Sequence, residues 1–151
     1  MPFAQHRRLH TFFMMNVFAC MGLSTEVVFT ALMSIINQEP HCDKPLIALA
    51  GYTYVWMIFI YASIPLLGYF FFDKIKHRPL FVRLLTYTVI VYVIEFFAGL
   101  LLRTLTGSCP WEYTTGFHIL GLVRLDYFPA WMFFTFLVEK LYVFMNERVI
   151  Q

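Results

Sequence analysis

Apolar residues in this chain gather into four long runs separated by short polar stretches. A helix rises 1.5 Å per residue and needs about 20 mainly apolar residues to cross the hydrocarbon layer of a membrane. The runs predict such helices over 12–36, 46–72, 80–105 and 118–145. Little chain is left for connections, so the expected fold class is all-α. The chain reads as a polytopic membrane protein, a single transmembrane domain over 1–151 forming a four-helix bundle. The first run is longer than a signal-peptide core and no small-residue cleavage site follows it, so it is read as a retained span.

The polar positions inside these runs are few. Glu26 and Glu95 each lie about ten residues from the nearest end of an apolar run. A carboxylate at the centre of a bilayer costs about 2.5–3.5 kcal/mol on insertion scales, so such groups face other helices and find partners. Ala19, Gly22, Glu26, Thr30 and Asn37 fall on one face of the first helix, and Thr88, Tyr92, Glu95 and Gly99 on one face of the third. Small residues allow close helix approach and polar ones bond across the contact, which makes both stripes packing seams. The alternative is a polar cavity between the seams. Glu26 precedes Gly51 by 25 residues and Glu95 precedes Gly121 by 26, a weak repeat suggesting two parallel hairpins.

Composition agrees with the pattern: 60% hydrophobic, 20% aromatic and only 13% charged residues set the chain apart from soluble domains. The net charge of +2 arises in the flanks of the runs. Arg7 and Arg8 lie before the first run, Lys74, Lys76 and Arg78 lie between the second and third, and Arg83 lies at the start of the third. By the positive-inside rule both termini are expected to be cytoplasmic, with anionic lipid as the partner of these cations. No basic stripe for nucleic acid exists. The five His and three Cys show no ligand spacing, so neither metal nor cofactor is expected. Cys42 and Cys109 fall on the same, non-cytoplasmic side and are candidates for a disulfide, with two unrelated thiols as the alternative.

The fourth run carries Arg124 and Asp126 at its start, ahead of Pro129. On a regular helix these two charges would point to different sides. Either the segment is unwound near Pro129 or the two charges have different partners. Arg103 is a second cation at similar depth, and the simplest pairing sets Arg103 and Arg124 against Glu26, Glu95 or Asp126. The preceding stretch, 106–121, holds turn formers around Trp111, Glu112 and Tyr113. It is suited to an interfacial aromatic anchor or to a lid over the polar seam.

Glu95-Phe96-Phe97-Ala98-Gly99, Arg103, Cys109-Pro110-Trp111-Glu112-Tyr113-Thr114 and Gly121-Leu122 through Arg124-Leu125-Asp126-Tyr127 with Trp131 resemble the transmembrane protein 229 family, its B-member branch in particular. The wider group is the ABC-transporter type IV (CmpB-like) domain. Its Trp-Asp-Tyr-Ser hallmark is similar to Trp111-Glu112-Tyr113-Thr114, and the Gly-x-x-x-Glu of its first span to Gly22 through Glu26. The resemblance implies a polytopic membrane protein and carries no settled activity. The chain has no Walker motif, so ATP coupling would need another subunit. The leading expectation is a protein that binds or transports a small molecule, lipid or ion through a buried polar site. That site would comprise Glu26, Glu95, Arg103, Trp111, Glu112, Tyr113, Arg124 and Asp126. Its alternatives are a structural or accessory subunit, pairing with another membrane protein or with itself, and an intramembrane lipid-modifying enzyme using its carboxylates as acid and base. A non-catalytic role is favoured over a catalytic one.

Overall fold

The structure, a computed structural model, describes residues 2–37 and 49–148. They are mostly helical: α1 (Pro2–Asn37), α2 (Met57–Ile75), α3 (Leu80–Thr106) and α4 (Phe128–Arg148), with two short strands, β1 (His118–Ile119) and β2 (Val123–Arg124), between α3 and α4. A turn of 3-10 helix (Leu125–Tyr127) joins β2 to α4. Three stretches are long and apolar enough to cross a membrane by length and composition: Arg8–Asn37, Leu80–Thr106 and Leu125–Arg148. The apolar part of α2, Met57–Phe72, is shorter.

These bounds correct the sequence reading in two places. The second helix begins at Met57 rather than near 46, and the fourth at Phe128 rather than at 118. Apolar composition persists through 49–56 and 118–127, but helical hydrogen bonding does not. The reason in the second case is local. Leu120 and Gly121 both have positive φ, 52° and 72°. That conformation makes a mirror-image turn and cannot continue a right-handed helix. The turn closes with Leu122 N–H donating to Ile119 O at 2.9 Å, and antiparallel pairing sets His118 opposite Arg124 and Ile119 opposite Val123. The non-helical segment expected before the fourth span is therefore present.

The described residues divide into two compact units, 2–73 and 74–148. In the first, a non-helical stretch over 49–54 lies along α1. Thr30 on α1 accepts from Tyr52 N–H at 2.9 Å and donates to Tyr52 O at 3.0 Å, satisfying both main-chain groups of that residue. Gly51 makes this possible, because a side chain there would overlap the Val27 carbonyl oxygen. In the second unit α3 and α4 pack together. α3 ends on Gly107, whose φ of 82° is left-handed and whose N–H returns to Arg103 O at 3.0 Å.

Candidate functional site

In the second unit the chain leaving α3 turns back and runs down that helix as a strap, 107–127. Tyr92, Glu95, Gly99 and Arg103 lie at spacings of three and four residues, so they form one face of α3. The strap contacts each of them. Arg103 donates through Nη2 to Leu120 O and to Glu112 Oε1, both at 3.0 Å. Gly99 lies beneath Leu122, Cys109 and Trp111, and a Cβ at that position would stand 3.0–3.3 Å from those side chains. The Tyr113 hydroxyl donates to Glu95 Oε1 at 2.9 Å, and the Tyr92 hydroxyl reaches Leu125 O at 3.3 Å.

The strap is also held to itself. Trp111 Nε1 donates to Leu122 O at 3.2 Å, Tyr113 N–H to Gly121 O at 2.9 Å, and Leu125 N–H to Phe117 O at 2.7 Å. Leu122 and Val123 are buried. Arg124 closes the lower end: Nε lies 3.0 Å from both oxygens of Asp126, Nη2 is 2.9 Å from Oδ2, and Nη1 donates to the Tyr127 hydroxyl at 3.0 Å. Its guanidinium also stands 4.3 Å from the centre of the Tyr127 ring, which meets the Tyr113 ring edge-on at 6.0 Å. Burial pushes the Cys109 thiol up from its ordinary value, because a thiolate there would lose hydration.

Seven of the expected site residues thus lie in the second unit: Glu95, Arg103, Trp111, Glu112, Tyr113, Arg124 and Asp126. One expectation on pairing is corrected. Arg103 is bound to Glu112 rather than to Glu26, Glu95 or Asp126, because the strap doubles back and brings Glu112 onto the last turn of α3. Trp111 and Tyr113 serve the strap laid over the α3 stripe. Glu26 lies in the first unit, where its Oε2 accepts from Thr53 Oγ1 at 2.8 Å and the Tyr61 hydroxyl at 3.1 Å. Cys42, one half of the candidate disulfide, lies outside the described residues, while Cys109 is a buried free thiol.

The two glutamates share a local design. Gly22, one turn before Glu26, leaves room for the Tyr61 ring, and a Cβ there would overlap it. Gly99, one turn after Glu95, lets Leu122, Cys109 and Trp111 come close, at 3.0–3.3 Å from an added Cβ. In each unit a glycine on the helix lets a neighbouring segment approach closely, and a tyrosine hydroxyl reaches the carboxylate. The Gly51 and Gly121 echo has no common cause, since Gly51 answers to close approach and Gly121 to backbone conformation.

The ion pair with the least exposed carboxylate escaped sequence reasoning. Arg83 donates through Nε and Nη2 to Glu139 at 2.9 and 2.7 Å, and the Glu139 side chain is only 4% exposed. Arg83 Nη1 also donates to Arg78 O at 2.8 Å, tying down the turn before α3. Arg83 looked like a topology marker, and its partner lies 56 residues away on another helix. A lone glutamate in the fourth run was the available signal. Among the described residues no group of three or more His, Cys, Asp or Glu could hold a metal ion. No family model matches this chain, and no solved structure matches it.

Proposed function

We propose that this is a multi-pass membrane protein of four spans, with both termini cytoplasmic, that binds or transports a small hydrophilic or amphipathic molecule or an ion. The polar face of the second unit is its site. The observation that carries this reading is the strap: a non-helical segment bearing Trp111, Glu112, Tyr113, Arg124 and Asp126 is folded onto the one α3 face that carries Glu95 and Arg103. Helical bundles that only need to be stable in lipid have no use for such backbone, which is tolerated at depth where it is buried in protein or lines a cavity. The resemblance to the transmembrane protein 229 family supports the same architecture.

An accessory-subunit role is the second reading, favoured by the pairing of Arg103 with Glu112 and of Arg124 with Asp126. Fully paired charges suit a scaffold that holds a shape. Glu95→Gln keeps the volume of the side chain and removes its charge. In a binding or transport protein the variant should fold normally, with its melting temperature in detergent nearly unchanged. It should also lose a co-purifying molecule that native mass spectrometry and lipidomics detect on the parent. A Glu95→Gln protein that keeps every such molecule, and a Glu95→Ala protein that no longer folds, would favour the accessory reading.

A further inference from the structure

The hydrogen bonds of the strap fix its depth along α3. Leu120 O is held by Arg103 near the last turn, Leu122 covers Gly99, and Leu125 O meets the Tyr92 hydroxyl. Tyr92 is at the middle of a helix running from Leu80 to Thr106, about 40 Å long at 1.5 Å per residue. The strap therefore descends from one end of α3 to its midpoint.

If α3 crosses the membrane, as proposed above, that midpoint falls inside a hydrocarbon layer about 30 Å thick. Arg124 and Asp126 flank Leu125 at this level, yet their side chains remain 20% and 33% exposed. Residues 114–120 of the strap are exposed as well. Charges and unpaired peptide groups facing lipid tails are strongly unfavourable, and irregular backbone at this depth requires protein or water around it.

We infer that the strap lines a water-filled vestibule, open on the Gly107 side of the membrane and reaching Arg124 and Asp126 beside Glu95. The ligand of the site is then a hydrophilic solute that arrives from the aqueous phase on that side, and a lipid tail is excluded by the charges lining the way in. This rests on the proposed reading that the second unit spans the membrane.

Cysteine accessibility tests it. Single cysteines are placed at Asp126→Cys, at Leu125→Cys, which leaves the Arg124–Asp126 pair in place, and at Val93→Cys, an exposed α3 position at the same depth. Ser108→Cys and Lys76→Cys mark the two ends of α3. The native cysteines are replaced (Cys20→Ala, Cys42→Ser, Cys109→Ala), and every variant is required to elute as a single species. A trimethylammonium methanethiosulfonate, which cannot cross lipid, is added to either side of sealed vesicles.

The expected result is modification of Leu125→Cys and Asp126→Cys from the Ser108 side, within roughly tenfold of the Ser108→Cys rate. Val93→Cys should react roughly 100-fold more slowly, because a thiol in hydrocarbon does not ionise. Rates at 125 and 126 as slow as at 93, with Ser108→Cys and Lys76→Cys labelled from opposite sides, would overturn the vestibule and leave the spanning reading intact. Labelling of 108 and 76 from one side would overturn the spanning reading itself. Access to 125 and 126 from the Lys76 side alone would reverse the direction of entry and overturn the inference as stated.

Discussion

Gly51 is the position at which one added carbon should do the most damage in the first unit. Its backbone touches the Val27 carbonyl oxygen, and backbone cannot swing aside as a side chain can. Gly51→Ala is expected to lift 49–54 off α1, break both Thr30 bonds to Tyr52 and cost about 1–3 kcal/mol, the usual range for overpacking. Thermal unfolding in detergent measures it, and a melting temperature equal to the parent would refute the close approach. Cys109 offers a second single-residue check. Alkylation needs the thiolate, and a thiol pushed up by burial has little of it near neutral pH. Maleimide should therefore label Cys109 at least roughly tenfold more slowly in the folded protein than after denaturation, with the rate rising as pH is raised.

Among the elements, the α3–α4 pair depends on Arg83 and Glu139. The pair is bidentate and nearly closed to solvent on the Glu139 side, so removing one partner leaves a buried charge uncompensated. Arg83→Met, which leaves the buried Glu139 carboxylate unpaired, is expected to cost about 3–5 kcal/mol, and Glu139→Ala combined with it should recover part of that loss. Arg103–Glu112 provides the contrast. Its side chains are 30% and 53% exposed, and a pair so open is worth at most about 1 kcal/mol. Unfolding midpoints of single and double variants at both pairs decide the matter. Equal costs at the two sites would contradict the burial difference. The Arg83 link to Arg78 O adds that Arg83→Met should also speed proteolysis in the turn before α3.

At the scale of the whole molecule, the described residues form two compact units, each with two helices and a non-helical stretch, 49–56 in the first and 107–127 in the second. In both, a mid-helix glutamate accepts from a tyrosine hydroxyl. The likeness stops there, since the hydroxyls come from different places, Tyr61 from α2 and Tyr113 from the strap. The first unit should tolerate Tyr61→Phe less well than a typical apolar exchange. That variant keeps the ring over Gly22 but removes a bond to a carboxylate, worth about 1.5–3 kcal/mol. Unfolding midpoints again supply the measurement, and a neutral Tyr61→Phe would deny Glu26 its dependence on that hydroxyl.

The sequence by itself determined the mostly helical class, the three long apolar helices and the stripes Gly22–Glu26 and Glu95–Gly99, because period, length and side-chain polarity act locally. It also marked 106–121 as unsuited to a helix, since glycine and proline limit backbone conformation without reference to the rest of the chain. The tertiary structure alone decided where α2 and α4 begin, since the packing of Gly51 against α1 and the turn at Leu120–Gly121 keep apolar segments out of the helix. It decided as well which charges meet. Arg103 with Glu112 and Arg83 with Glu139 depend on how far the strap doubles back and on the register of α4 against α3. Coulomb attraction acts over a few ångströms, and a sequence does not state distances between residues 56 positions apart.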